Sequence, residues 1–337
     1  MPACEPLAPG GCLMRSSTLH PLAMRSLPSL AALACALSLG TSAARAQAPD
    51  TGPLVLLLPA STRATALGNA WVAGRDEDVI FYNPAQLLSA RPGFNASVAR
   101  YGSSATLGSI AGVYAAGPLT MTTGWGVEFL DYSTRAGESY PFTPALLPRG
   151  GTIEAIGMLA TVGTAITWKN FRGGIAAKYA TDRVSVPSGP AAGAVAGHDA
   201  FLGDVGIAHN LWTGIAGLSV QNIGKGWVDG GRKIDVPLQT SLGWTATRAV
   251  GQLDLGVAAQ VTARRGWVSP GGGVEIGYGW IEGYSAALRV GARRTETSAE
   301  RPVALGATFN ADRLSIEYAL QFFEGDQNAH RVTVRWR

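Results

Sequence analysis

The chain has 337 residues, of which 47% are hydrophobic, 15% are charged and 44 are glycine. So much apolar side chain excludes a disordered chain, and the lack of an apolar run of about 18 residues beyond the N-terminus excludes a helical membrane bundle. The formal net charge of +4 comes with no basic block and no aromatic-basic alternation, so no nucleic-acid partner is indicated; what remains is a soluble all-β protein or a membrane β-barrel.

The first element in chain order is an export signal. Arg25, the apolar stretch Leu27 to Leu39 and the small-residue sequence Ala44-Arg45-Ala46 have the three parts of a secretory signal, with cleavage expected after Ala46. Residues 1–46 are read as signal peptide, with an extension ahead of it if translation starts at Met14 or Met24. Cys4, Cys12 and Cys35 all fall in this part, so no disulfide staples the mature chain; the alternative reading makes Cys35 a lipidated cysteine. Removal of 1–46 leaves 24 basic and 22 acidic residues.

Residues 47–92 show no strand-like alternation, and from Ala64 to Leu87 they read ATALGNAWVAGRDEDVIFYNPAQL. Ser61 or Thr62 is placed to cap a first short helix, Asp76 and Asp78 favour a second, and Asn83-Pro84 puts a cap before proline at the first helical position. A segment carrying both apolar and acidic residues ahead of a spacious barrel is expected inside the lumen as a plug or hatch. The competing placement is against the periplasmic face.

From residue 93 to 337 the sequence becomes a series of segments alternating with period two, the pattern of strands with unlike faces. Leu314, Ile316, Tyr318, Leu320 and Phe322 share one face, opposed by Arg313, Ser315, Glu317, Ala319 and Gln321; Val332, Val334 and Trp336 are opposed by Arg331, Thr333, Arg335 and Arg337. The segments are 94–101, 106–116, 119–132, 153–168, 171–184, 199–209, 213–222, 237–247, 251–263, 267–280, 283–294, 302–309, 313–322 and 329–336. Most are close to the tilted membrane-crossing length of about 9 to 11 residues. The prediction is an all-β transmembrane antiparallel up-and-down barrel of about fourteen strands with a short helical N-terminal hatch.

The connections alternate in length, as outer-membrane barrels require. Tight ones are expected at Gly117-Pro118, Lys169-Asn170, Asn210-Leu211-Trp212, Arg248-Ala249-Val250, Ile281-Glu282 and Asn310-Ala311-Asp312, and the intervening ones include 133–152, 185–198 and 223–236, with shorter ones near Ser103, Arg265, Thr297 and Asp326. Trp168, Phe171, Trp280, Tyr284, Phe309 and Trp336 sit on the apolar face beside the tight turns and read as an interfacial girdle. Inward positions carry small residues and charges of both signs, among them Glu128, Lys178, Asp204, Glu275, Arg289, Glu317, Arg331 and Arg335, expected to pair within the lumen.

The run ALGNAWVA, the acidic Asp76-Glu77-Asp78 and Asn83-Pro84-Ala85 with Leu87 resemble the N-terminal region of FadL-type outer-membrane proteins, and most closely their PorV and PorQ branch. GLSVQNIGKGW from Gly217 to Trp227, Pro237-Leu238 and the ending LSIEYALQFFEGDQNAHRVTVRW are similar to that branch's middle and final strands. The chain departs from those relatives at Asn69 and Gln86, where they usually have glycine, and at Arg337, where barrels of this kind end on an aromatic. The resemblance implies fourteen strands, an N-terminal hatch whose marker residues here are Gly68, Asn69, Trp71, Asp76, Asp78, Asn83 and Pro84, and a place in the outer membrane of a Gram-negative-type bacterium.

Two functions follow from the resemblance, the PorV/PorQ-like one first and the FadL-like one as the alternative. A PorV/PorQ-like barrel serves type IX secretion, with secretion-system proteins or secreted cargo as partners; a FadL-like barrel passes hydrophobic small molecules by diffusion. For the second, Tyr140, Phe142, Leu146 and Leu147 are candidate ligand-contact residues in an extracellular loop. No catalytic residue, cofactor or metal is expected: the mature chain offers only His198, His209 and His330, and His198-Asp199, adjacent on a strand, point to opposite faces and make a poor general-base dyad.

Overall fold

The computed structural model describes residues 52–337 except 116–120, 135–151, 189–192, 194 and 230–231. The signal peptide, the turn at Gly117-Pro118 and the loop bearing Tyr140, Phe142, Leu146 and Leu147 lie outside the described residues. The strands are β1 (Gly93–Tyr101), β2 (Ala105–Ala115), β3 (Met121–Asp131), β4 (Thr152–Trp168), β5 (Phe171–Ser188), β6 (Val195–Leu211), β7 (Gly214–Gly224), β8 (Trp227–Asp229) and β9 (Arg232–Ile234). They continue with β10 (Gln239–Val250), β11 (Leu253–Arg264), β12 (Trp267–Ile281), β13 (Tyr284–Arg293), β14 (Glu300–Ala311), β15 (Leu314–Phe323) and β16 (Ala329–Trp336).

Fourteen of them form one closed antiparallel barrel in which each strand pairs with its neighbours in sequence, and β8 and β9 form a hairpin of their own in the β7–β10 connection. Closure comes from β1, which pairs with β2 on one edge and β16 on the other, Phe94 facing Trp336 and Tyr101 facing Ala329. A closed sheet has no edge, so every wall N–H and C=O finds a partner without water, the condition lipid imposes.

The period-two pattern divides the side chains as the sequence requires. Outward positions expose large apolar groups to lipid, with Leu288 at 70% and Ile175 at 61%, while inward positions such as Ser97, Thr161, Lys178 and Glu317 are buried. The aromatic girdle stands outside beside the short turns, where Trp280 stacks on Phe309 with centroids 6.0 Å apart and Phe171 stacks on His209 at 4.6 Å. Both ends of the barrel sequence, Gly93 and Trp336, lie at this rim, which is the periplasmic one for a barrel with short periplasmic turns.

Three boundaries differ from the sequence pattern, each for a physical reason. The segments expected to end at 184 and begin at 199 extend to Ser188 and from Val195. The added residues read SVPS and VAGH, without alternation of apolar and polar types, and just inside them Arg183 pairs with Asp199 on the outer face at 2.9 Å, where an apolar residue would have marked the strand. The turn expected at Arg248-Ala249-Val250 falls instead at Gly251-Gln252, since glycine accepts the positive φ of 65° the turn needs. The 223–236 connection contains β8 and β9, three residues each, too short for any periodic signal.

Candidate functional site

The candidate site is the barrel interior and the segment that fills it, residues 52–92, called the hatch below. Its local structure follows from caps. Ser61 precedes the short helix α1 (Thr62–Ala66), and its hydroxyl accepts from the Ala64 N–H at 3.2 Å. Asn83 precedes a 3-10 turn over Pro84–Ser89, and its Oδ1 accepts from the Ala85 N–H at 3.1 Å. Asp76 stands before a second 3-10 turn, Glu77–Phe81, without a side-chain cap bond, because its carboxylate is turned toward arginines. Between these pieces Gly68 and Asn69 both take left-handed φ, 66° and 59°. Asparagine tolerates that region better than most other side chains.

Each piece is held by a different arc of the wall. α1 lies against β13–β16, the turn at Glu77–Phe81 against β1–β4, and the turn at Pro84–Ser89 against β3–β6. The wall makes room by omitting side chains. At Gly174 an added Cβ would fall on the Pro84-Ala85 backbone, at Gly206 on the Asn83 side chain, and at Gly291 on the Leu67-Gly68 backbone. The glycine-rich lumen is thus filled, and its small residues form the mould of the hatch. Backbone groups of the hatch that water cannot reach are met by wall side chains. Gln260 Oε1 accepts from the Trp71 and Val72 N–H groups, both at 2.8 Å; Gln221 Nε2 donates to the Phe81 carbonyl at 2.6 Å; Arg331 donates to the carbonyls of Pro59 at 2.5 Å and Ala60 at 2.8 Å.

The strongest fastening is ionic. Arg335, on the last strand and 1% exposed at the side chain, lies 2.7 Å from Asp76, 2.8 Å from Glu77, 3.5 Å from Asp78 and 3.4 Å from Glu317 of the wall. Arg337 reaches back to Asp76 at 2.6 Å and Glu77 at 2.9 Å. Arg63 of α1 bridges Asp76 at 3.1 Å and Glu275 of the wall at 2.5 Å, and Arg289 also pairs with Glu275. Carboxylates of Asp76, Glu77, Asp78, Glu275 and Glu317 therefore face guanidiniums of Arg63, Arg289, Arg335 and Arg337, one negative group in excess. Asp78 accommodates the excess: burial pushes its carboxyl up to about 7 against the pull of Arg335, and it also accepts from Trp71 Nε1 at 3.1 Å. Burial would raise Asp76 too, but Arg335, Arg63 and Arg337 outweigh it and hold that carboxyl well below the usual carboxylate range.

All seven hatch residues singled out in the sequence lie within this filling. Gly68 abuts the β12 and β13 backbones, Trp71 and Asp78 bond each other, Asp76 is the centre of the arginine cluster, and Asn83 bridges to the Val72 carbonyl at 2.8 Å beside Pro84. Sequence reasoning did not find Arg63, Gln221 or Gln260, and named Glu77 only within the acidic run and Arg337 only as inward on the last strand. Of the inward charges expected to pair within the lumen, Lys178–Asp204 do so at 2.7 Å and Arg289–Glu275 also pair, while Arg335 pairs with both Glu317 and the hatch carboxylates and Arg331 donates to hatch carbonyls. His198 stacks on Trp227 at 5.0 Å while Asp199 faces out to Arg183, so the two form no dyad.

Toward the extracellular side of the hatch the inward face changes character. Tyr101, Leu107, Leu130, Leu159, Leu202 and Phe323 are buried there, and the turn Leu54–Leu56 packs among them. Hydrated strands would not place such side chains inside, so the upper lumen is filled by an apolar cluster that wall and hatch build together.

A closed antiparallel barrel with an apolar exterior, an aromatic girdle and a hatch-filled lumen is an outer-membrane β-barrel of a Gram-negative-type envelope. Solved structures with this fold include the Ralstonia pickettii toluene transporter TbuX, 13% identical over 81% of this chain and 97% of that chain, with a TM-score of 0.56. The Pseudomonas putida toluene transporter TodX is 9% identical over 81% of this chain and 95% of that chain, TM-score 0.52. A Pseudomonas aeruginosa FadL homologue is 12% identical over 82% of this chain and 98% of that chain, TM-score 0.50. The fold is therefore that of the FadL/TodX-type barrels. No family profile matches the chain, and no curated protein matches it in sequence.

Proposed function

We propose that the protein carries small hydrophobic molecules passively across the outer membrane, with the hatch closing the path at rest. The observation that carries this reading is the apolar cluster of Leu107, Leu130, Leu159, Leu202 and Phe323, which packs on the Leu54–Leu56 turn of the hatch at rest and lines the path once that turn moves aside. Water gains nothing from such a lining, and an apolar molecule leaving water does, by about 25 cal/mol per Å² buried. The toluene transporters that share the fold support the same class of cargo. In this reading Tyr140, Phe142, Leu146 and Leu147 collect cargo at the mouth. Radiolabelled toluene should enter Gram-negative cells faster when they produce the protein, and the joint Phe142→Asp, Leu146→Asp change should slow that entry. Entry at the rate of cells without the protein would reject the channel.

A second reading is a PorV-like role in secretion, favoured by the resemblance of Gly217 to Trp227 and of the last strands, and by a lumen whose filling leaves the external loops as the working surface. Co-purification with envelope secretion components, together with no toluene entry, would select it.

A further inference from the structure

Between the Leu54–Leu58 stretch of the hatch, the Phe81-Tyr82 turn and the wall lies a cavity of about 40 Å³, room for roughly two or three water-sized groups. Its wall joins apolar side chains, among them Val55, Leu56, Phe81 and Leu159, to the buried Glu128 and Lys178. Glu128 is 2% exposed and its Oε1 has no hydrogen-bond partner. A buried acceptor without a donor is costly, and Glu128 is one of the residues that line the cavity. Lys178 is held in place: its ammonium lies 2.7 Å from Asp204 Oδ2 and donates to Asn222 Oδ1 at 3.1 Å, and the Asn222 N–H donates to the other Asp204 oxygen at 2.8 Å. Those contacts use two of the three ammonium donors.

We propose that this cavity receives the hydroxyl of a small phenol or alcohol, so that the cargo class is apolar molecules bearing one neutral O–H; the inference rests on the channel reading above. The O–H donates to Glu128 and its oxygen accepts from Lys178, while the apolar body takes the space now filled by the Leu54–Leu58 stretch. Hydrogen-bond capacity selects against the alternatives. An ammonium group only donates and cannot accept from Lys178, a carboxylate only accepts and cannot donate to Glu128, and a bare hydrocarbon leaves the Glu128 oxygen unanswered. Sites that hydrogen-bond a hydroxyl discriminate strongly against analogues lacking it, because their polar groups are then buried unpaired.

The test is calorimetric titration of the full mature chain, reconstituted in phosphatidylcholine vesicles, with p-cresol, toluene, benzylamine and benzoate. Wild type should bind p-cresol about tenfold or more tighter than each of the others. Glu128→Leu should bring the cresol-to-toluene ratio close to one, and Glu128→Gln, which keeps an acceptor oxygen, should retain a clear preference and controls for folding. Equal affinity of wild type for p-cresol and toluene, tighter binding of benzylamine or benzoate, or an unchanged ratio in Glu128→Leu would each overturn the proposal. Toluene binding without a cresol preference sinks this inference alone, whereas binding of none of the four sinks the channel reading with it.

Discussion

Replacing Arg335 with alanine is expected to lower the unfolding free energy by about 3–5 kcal/mol, the usual cost of removing one partner from a buried ion pair. The guanidinium is almost completely shielded and touches Asp76, Glu77, Asp78 and Glu317. Its loss leaves carboxylates in a space that water does not reach, and desolvated charge without a counter-charge is the expensive state. The effect is doubled in consequence by position, since Arg335 sits on β16, the strand that closes the barrel against β1, and links that closure to the hatch. Urea unfolding in lipid vesicles measures the loss. Adding Glu77→Gln to Arg335→Ala should recover part of it, because the two residues are in contact and their effects do not add. A loss under about 1 kcal/mol, the range of exposed ion pairs, would mean that the cluster does not hold the hatch.

The second large effect belongs to the outer surface. Leu288 lies midway along β13, opposite Ile276 of β12 and Ala307 of β14, and is 70% exposed. Arginine there would place a charge near the centre of the hydrocarbon layer, and Leu288→Arg should destabilise the barrel by about 2–4 kcal/mol. The same urea titration reads it. An exposed leucine facing water would tolerate the change within about 0.5 kcal/mol, so a neutral result would remove lipid from the outside of the cylinder.

The barrel was legible because lipid on one side and a polar interior on the other impose a period of two on every crossing. That signal is local, and it failed where the pattern stops: 185–188 reads SVPS and 195–198 reads VAGH, with no alternation of apolar and polar types, and at β8 and β9 the strands are three residues long. The caps of the hatch were legible for the same reason, since Ser61 and Asn83 act on N–H groups two or three residues away. The partners of Asp76 and Glu77 were not, because Arg335 and Arg337 lie some 260 residues further along the chain and only barrel closure brings them together. Small inward residues showed that the lumen has space without showing what fills it. The one sequence clue was the coincidence of glycine at inward positions such as Gly174, Gly206 and Gly291, too many for strands that benefit from side-chain contact.

Single-channel conductance of the refolded mature chain in planar bilayers, with and without residues 53–92, tests the account most directly. The intact chain should stay closed, because the hatch meets the wall backbone at its glycines and occupies the lumen from β1 to β16. Its removal should open a steady water-filled pore. Equal conductance from the two chains would contradict the account, since a segment that fills the barrel cannot be deleted without changing what passes through it.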